Sequence, residues 1–374
     1  MKPRLLLYCQ HSLGLGHFMR SLALAEALVE RFEVIFFNGG PVPMAVALPR
    51  AIRFVHLPPL RMEEDGSLSG KGAVEQLIAE RRDRMLAAAG EGPVAALLIE
   101  LYPFGRKKFA AEIDPLIARV REQGGKIVCS VRDLLVTGRV DQERHDQRAA
   151  DKLNATFDAV LVHSDERIFC LAESFRPNDP LRIPVQHTGF VTRTISLESS
   201  VPQGVTLVTA GGGVVGRGLY EAAIAAQSIL WEERGWPMVM VAGPLLPDED
   251  WQAICDKARD APWLTLVRAV PSLQPLLQQA GRVVSQCGYN SALEILQARK
   301  PVLFVPFSRG QESEQTARAR QLTNMDLANW APEQGLSGER LAELLLELKE
   351  PSGKRALDMR GAQCSAAFIA ELAA

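Results

Sequence analysis

Short apolar runs alternate with amphipathic and polar stretches along the chain. In the first half, Leu5–Cys9, Val34–Phe37, Ile52–Leu57, Ala95–Ile99, Lys126–Val131 and Ala159–His163 predict strands. Between them, Phe18–Arg31 carries Leu22, Ala25, Leu28 and Val29 near helical spacing, which predicts an amphipathic helix. Ala73–Ala89, Ala110–Gln123 and Gln142–Asn154 read as further helices, and the polar, glycine-bearing residues 58–72 as a long loop. The strands are continuous in apolar character rather than alternating. Such strands, separated by helices, form a parallel sheet covered on both faces.

Residues 176–204 break the pattern. Pro177, Pro180, Pro184 and Pro202 punctuate them without a helical period, and Val185–Val191 reads as the last strand of the first sheet. The pattern then restarts, with strands at Val205–Thr209, Pro237–Ala242 and Leu264–Val267 and helices at Leu219–Trp231 and Ser272–Gln279. The most organised stretch follows. Val283 and Val284 end an apolar run, Cys287–Ser291 is a glycine turn, Ala292–Ala298 a short helix, and Val302–Phe307 another strand. A helix from Glu314 to Leu322 comes next. The tail, Lys354–Leu372, aligns Leu357, Gly361, Cys364, Phe368 and Leu372 on one side and needs a surface to cover. The expected fold class is α/β, with two Rossmann-like domains facing a cleft. Residues 1–195 form the first domain and 196–353 the second.

Length and composition allow this and narrow the function. A chain of 374 residues suits two domains, and 47% hydrophobic residues suffice for two cores. The formal charge of −2 gives no basic field for nucleic acid. Six scattered cysteines without a C-x-x-C pair suit reduced thiols in a cytoplasmic protein. Gln10 and His11 end the first apolar run too early for a signal peptide, and no apolar run is long enough to span a membrane.

Two glycine elements of the second half bear on chemistry. Gly211–Gly218 follows a strand, precedes a helix and fits G-x-G-x-x-G. The acid that would hold a dinucleotide ribose is missing, because the next strand ends in Gly243-Pro244, so a nicotinamide or flavin cofactor is not implied. A diphosphate on the backbone amides of Gly212 and Gly213 and a purely structural turn both remain open readings. The second element, Gly288 with Asn290 and Ser291, also feeds a helix N-terminus, whose free amides and dipole suit an anion. Glu294, about one turn in, reads either as a ligand for a sugar hydroxyl or as a partner of the helix dipole. Both turns follow parallel strands and so share one sheet edge, where two helix N-termini can neutralise a diphosphate without a metal. Neither glycine turn contains a D-x-D to hold Mg²⁺. In the first half, Gly14-Leu15-Gly16-His17-Phe18-Met19-Arg20 is the first strand-to-helix turn. His17 reads as a candidate base or a capping residue, and Arg20 as a cation that gains from an anionic partner. His11, Glu100, Arg132, Asp133, His163 and Asp165 lie at or past strand ends, where some line the same face. Tyr102–Phe109 mixes aromatics with cations and reads as a solvated loop in preference to a contact for an anionic acceptor or a membrane surface.

Taken together, these residues resemble GT-B glycosyltransferases of family 28 type, the group that contains the N-acetylglucosaminyltransferase of peptidoglycan synthesis. Gly14, Gly16 and His17 resemble the family's first acceptor-side loop, and Thr209–Gly218 its second-domain phosphate loop. Cys287-Gly-Tyr-Asn-Ser-Ala-Leu-Glu294 with Lys300-Pro-Val-Leu-Phe-Val-Pro306 is the most specific match. The resemblance implies that Glu294 holds the donor ribose and Ser291 the phosphates. It implies that the backbone at Val270 grips the base and that Glu314 and Gln315 contact the donor sugar. The first loop has fewer glycines than the peptidoglycan enzyme's, and Arg132-Asp133 does not match its acceptor motif. Gly16-His17-Phe18-Met19-Arg20 is similar instead to the UDP-sugar hydrolase of pseudaminic acid synthesis.

The implied activity is inverting, metal-independent transfer from a nucleoside-diphosphate sugar, UDP-linked, to an acceptor hydroxyl on a glycan, a lipid-linked molecule or a small molecule. His17 is the implied base, and the resemblance together with the apolar stripe implies that the tail at 354–374 packs back on the first domain. The acceptor side is Gly14, Gly16, Arg20, Glu100, Arg132 and Asp133. No cofactor, metal or nucleic acid is implied, and peripheral contact with the inner membrane face is compatible with the resemblance. The alternative is a nucleotide-sugar hydrolase of the same fold.

Overall fold

The structure, a computed structural model, describes residues 2–11, 16–41, 46–63, 67–193, 203–307, 314–351 and 357–374. Gly14 and residues 311–313 of the donor-sugar segment lie outside them. The chain divides into two compact units, one of Met1–Arg193 with Leu357–Ala374 and one of Thr194–Ala356.

The first unit begins β1 (Arg4–Cys9), α1 (Gly16–Leu28), β2 (Glu33–Asn38) and β3 (Arg53–His56). A small antiparallel hairpin, β4 (Leu60–Met62) and β5 (Leu68–Gly70), follows, then α2 (Val74–Gly90) and β6 (Val94–Glu100). α3 (Ala110–Glu122), β7 (Lys126–Val131), α4 (Gln142–Thr156), β8 (Ala159–Val162) and β9 (Val185–His187) complete it. Seven strands pair in the order β3-β2-β1-β6-β7-β8-β9, all parallel. Successive side chains of a strand point to opposite faces. In β1, Leu6 and Tyr8 therefore enter the core with Ile113 and Leu116 of α3, while Leu5, Leu7 and Cys9 enter the core with Leu22 and Ala25 of α1. Both faces are dry, which is why these strands read as unbroken apolar runs.

The second unit repeats the plan with β10 (Val205–Thr209), α5 (Arg217–Arg234), β11 (Met238–Val241), α6 (Asp248–Ala258), β12 (Leu264–Val267), α7 (Gln274–Gln279) and β13 (Ala280–Ser285). It ends with α8 (Tyr289–Ala298), β14 (Val302–Phe304), α9 (Glu314–Asn324), β15 (Asn329–Trp330) and α10 (Gly338–Leu346). Its six strands are parallel in the order β12-β11-β10-β13-β14-β15. The chain then returns to the first unit, where α11 (Gly361–Leu372) packs on α1. Among the described residues, no helix is long and apolar enough to cross a membrane.

Several expectations change. Residues 58–72 contain the β4–β5 hairpin rather than a continuous loop. The tail helix buries Ala362, Ser365, Ala366 and Ile369 and leaves Cys364, Phe368 and Leu372 at the margin of the contact. The deeper stripe is made of small residues, which let helix backbones approach, so it carries a weak hydropathy signal. Tyr102–Phe109 is not a solvated loop. Tyr102, Phe104 and Phe109 are core residues, and Phe104 packs edge-on to Phe175 with centroids 4.8 Å apart.

Both sheets share one topological property. Strand order reverses between β1 and β6 in the first unit and between β10 and β13 in the second. At such a point the two following connections leave in opposite directions and open a crevice at the carboxyl ends of the strands, where open α/β sheets bind ligands.

Candidate functional site

In the second unit the connections at the reversal are the two glycine elements. A Cβ added to Gly211 would lie 3.1 Å from Ser291 Oγ, so the turn after β10 and the first turn of α8 meet. Gln286 joins them further. Its amide donates to Thr209 O at 3.3 Å and its Nε2 to Val215 O at 3.0 Å. Tyr220 of α5 braces the first turn from below, accepting from the Ala210 amide at 3.0 Å and donating to Ala242 O at 2.6 Å.

The glycines do different work. Gly213, at φ 91°, donates its amide to Ala210 O at 3.1 Å, and a Cβ there would fall 2.2 Å from Ala242 O. Its role is close packing on the end of β11. A Cβ on Gly243, at φ 95°, would fall 2.5 Å from the Gly212 carbonyl group. The Gly243-Pro244 dipeptide, which stands where a dinucleotide site has its acid, is thus the seat of the glycine turn. Gly212 and Gly288 are the open members. Cβ atoms there would meet only Leu245 at 3.5 Å and open space, respectively.

α8 starts at Tyr289, not at Ala292. Ser291 therefore lies in its first turn, with amides directed beyond the helix end. Glu294 moves into the second turn, past the region where the dipole acts strongly. Burial pushes its carboxyl up to about 7, and among the described residues no cation or hydrogen-bond donor engages it. That removes the reading of Glu294 as a dipole partner.

The other donor-side residues follow neighbouring strands at the same sheet edge. Val270 is half-buried after β12, the edge strand. Glu314 is buried at the start of α9, and Gln315 Oε1 accepts the Phe307 amide at 3.2 Å. Arg318 of α9, which the sequence did not single out, donates to Cys287 O at 2.7 Å and anchors the α8 turn.

In the first unit the reversal lies between β1 and β6, and there His17 meets Glu100. His17 Nδ1 is 2.5 Å from Glu100 Oε1, which also accepts from Arg20 Nη2 at 2.5 Å. Arg106, also unforeseen, lies 3.8 Å from Glu100 Oε2. The His17 side chain is 17% exposed against 2% for Glu100, so the imidazole is the group presented outward. Burial pulls His17 down to about 4, and Arg106 and Arg20 act in the same direction against Glu100. Burial pushes the Glu100 carboxyl up, but its neighbours outweigh this and hold it at about 2. His17, by charge and by hydrogen bond, is the largest of these influences, followed by Arg20 and Arg106; near pH 7 the imidazole itself is neutral. An ionised carboxylate can only accept, so the His17 proton sits on Nδ1 and the lone pair on Nε2.

Gly16 is the first residue of α1. Arg132 and Asp133 follow β7, the next strand over; Asp133 is buried and accepts the Leu134 amide at 2.8 Å. His163 and Asp165 have structural roles. Ser130 Oγ and Thr188 Oγ1 flank the buried His163 ring at 2.7 and 3.0 Å, and burial pulls it down to about 3. Asp165 is engaged by Arg167. His11 is buried against Asn38 Oδ1 at 3.0 Å.

Among the described residues, Glu166, Cys170 and His187 could bring ligand atoms to a metal. However, His187 Nε2 accepts the Leu171 amide at 3.3 Å, which puts the ring proton on Nδ1, the nitrogen that faces Glu166.

The model of the glycosyltransferase family 28 C-terminal domain matches residues 208–373. That part of the chain is thus similar to the C-terminal domain of glycosyltransferase family 28. Curated relatives are similar over a comparable stretch. The UDP-N-acetylglucosamine–N-acetylmuramyl-(pentapeptide) pyrophosphoryl-undecaprenol N-acetylglucosamine transferase of Gloeobacter violaceus is 24% identical over 180 residues, 47% of this chain and 49% of the relative. Its counterpart in Synechococcus elongatus is 25% identical over 183 residues, 48% of this chain and 49% of the relative. The chain thus spans about half the length of the curated relatives it matches. Among solved structures, MurG of Acinetobacter baumannii aligns with 99% of this chain and 100% of its own, at TM-score 0.63 and 15% identity. The calicheamicin glycosyltransferase CalG4 covers 100% and 97% at TM-score 0.62 and 17% identity. These structural likenesses establish the GT-B fold, with two Rossmann-like domains. The family 28 match encloses the donor-side candidates from Gly212 to Gln315, while His17, Arg20 and Glu100 precede it.

Proposed function

We propose that the protein is a glycosyltransferase that uses a nucleoside-diphosphate sugar, UDP-linked, as donor. The carrying observation is the meeting of the two glycine turns at the strand-order reversal of the family 28 domain, with Ser291 against Gly211. Backbone amides at Gly212 and in the first turn of α8, with the Ser291 hydroxyl, take the diphosphate. Glu294 takes the ribose, Val270 the base, and Glu314 and Gln315 the sugar. Two helix N-termini supply positive charge in place of a cation, so the reading is metal-independent.

The acceptor belongs to the first unit, with Gly16, Arg20, Glu100, Arg132 and Asp133 on its side. His17 Nε2 takes the proton of the acceptor hydroxyl while that oxygen bonds to the anomeric carbon. The bond from this carbon to the diphosphate breaks, and its electron pair leaves with the diphosphate. One displacement inverts the anomeric configuration. Glu100 holds the imidazole in the tautomer that can accept. The curated relatives are named for transfer to an undecaprenol-linked acceptor. Here the acceptor class stays at a hydroxyl on a glycan, a lipid-linked molecule or a small molecule. A cytoplasmic setting with peripheral contact at the inner membrane face accords with that class.

A panel of UDP-sugars and acceptors, read by UDP release and product mass, tests the reading. Replacing His17 by Ala should lower turnover roughly 10²- to 10⁴-fold, the usual contribution of a general base, with UDP affinity kept. Undiminished turnover would remove the base assignment. Release of stoichiometric free sugar without acceptor at catalytic rate would make the protein a hydrolase.

A further inference from the structure

Glu100 has two tasks that conflict. It must hold the His17 tautomer, yet a lone buried carboxylate beside an imidazole favours the imidazolium, which has no lone pair to offer. The first unit surrounds this pair with a surplus of positive charge. Arg20 shares Glu100 Oε1 with His17, and Arg106 faces Oε2. The Arg106 side chain is only 9% exposed, and among the described residues its ionic neighbour is Glu100. At 3.8 Å the contact is too long for a hydrogen bond, so Arg106 contributes field rather than a strong bond.

The segment that carries Arg106 is built to bring it there. Leu101 and Arg106 both take left-handed backbone, φ 63° and 60°, a conformation costing roughly 1–2 kcal/mol for an ordinary residue. Burial of Tyr102 and Phe104 offsets that cost. The Leu101 amide donates to Ser130 O at 2.8 Å, and the Gly105 amide to Leu101 O at 2.7 Å, closing the segment on itself. A solvated surface arginine would need none of this.

We infer that Arg106 is a positioning residue for His17: with Arg20 it offsets the Glu100 carboxylate, so that Glu100 orients the imidazole and leaves Nε2 able to take a proton. The other groups around the cluster do not supply this charge. From β1, Cys9 is pushed up to about 12 by burial and stays a thiol, and His11 is pulled down by burial. From the end of β8, His163 is neutral. Among the described residues, Arg20 on α1, Glu100 on β6 and Arg106 are left as the charges acting on His17. The inference rests on the proposed role of His17 for its meaning, but its test does not require turnover.

The test follows the ring resonances of the six histidines by NMR against pH in the full chain, with His17→Asn assigning the His17 signal. Arg106→Asn is the principal variant, because Asn tolerates left-handed backbone and the substitution should fold. Arg106→Gln is the second charge-removing variant, and Arg106→Lys keeps the charge. Without the charge, the His17 midpoint should rise by roughly one pH unit or more, while Arg106→Lys stays near the wild-type value. An unchanged midpoint in the folded Asn or Gln variant overturns the inference. So does an equal rise in the Lys variant, which would mean that shape and not charge is at work. If transferase activity is found, the acid limb of kcat/KM should move with the midpoint. A midpoint that moves in a protein without transferase activity keeps the inference and rejects the function.

Discussion

At the scale of single residues, Glu294 makes a pH-dependent prediction. Burial raises its carboxyl from 4.5 to about 7 in the ligand-free protein. The stability this group permits is fully present below pH 4.5 and is lost as pH rises through about 7, because among the described residues no partner offsets the desolvation of the carboxylate. Ribose hydroxyls would supply donors and favour the ionised form, so binding below pH 7 must expel a proton. UDP affinity should therefore rise with pH up to about 7, by as much as about tenfold per unit, and then level off. Glu294→Gln should bind more weakly at pH 8 and lose this part of the slope; the difference between the two proteins cancels the phosphates' own titration. The same variant should be more stable without ligand at pH 8, by about 1–2 kcal/mol, less than the full shift because the carboxyl is partly exposed. Calorimetry at several pH values reads both effects. Parallel pH slopes for the two proteins would sink the ribose assignment. Glu294, His17 and Glu100 were each legible in the sequence as residues at strand or helix ends. Arg106 was not, because its place depends on two left-handed residues that no side-chain pattern announces. Nor were Arg81 and Glu112, charges of apparently solvated helices. They form a wholly buried bidentate pair whose arginine also donates to Pro58 O and Gln10 Oε1.

At the scale of elements, the glycine turns separate folding from binding. Gly213→Ala would strain a left-handed backbone and drive a Cβ into the Ala242 carbonyl, and should cost roughly 2–4 kcal/mol in denaturant melts. Gly212→Ala and Gly288→Ala have room and ordinary backbone and should leave stability nearly unchanged. If a diphosphate lies on these turns, the added methyl groups stand in its way, and UDP binding should weaken at least tenfold. Two stable variants with full affinity would move the phosphates elsewhere. The strands that carry these turns could be read directly, because a strand buried on both faces has no polar positions to confuse the pattern. Val205–Thr209 and Leu264–Val267 agree to the residue. The start of α8 was read three residues late, since Tyr289-Asn290-Ser291 has the composition of a turn. α6 and α10 went unread. α10 did carry a signal, for Ser337 caps it by accepting the Arg340 amide at 3.2 Å, with Leu341 and Leu345 beneath.

At the scale of the whole molecule, an accident of composition makes the two units separately observable. All five tryptophans (Trp231, Trp236, Trp251, Trp263 and Trp330) fall in the second unit. Their fluorescence therefore follows the unfolding of the second unit, whereas circular dichroism follows both units. A nucleotide held at the β10–β13 reversal should raise the fluorescence transition, by about 5 °C or more at a hundredfold excess over Kd. Ile369→Ala acts on the other unit. It removes the largest wholly buried side chain of α11 from the contact with α1, and should cost about 2–5 kcal/mol there. That loss should appear as an earlier transition in circular dichroism, with the fluorescence transition in place. The family match runs to residue 373 and so includes α11, although that helix packs on the first unit. If α11 served the second unit instead, Ile369→Ala would lower the fluorescence transition. If the nucleotide belonged to the first unit, UDP would raise the dichroism transition and leave fluorescence still. Each pairing of ligand or variant with a probe thus assigns one function to one unit.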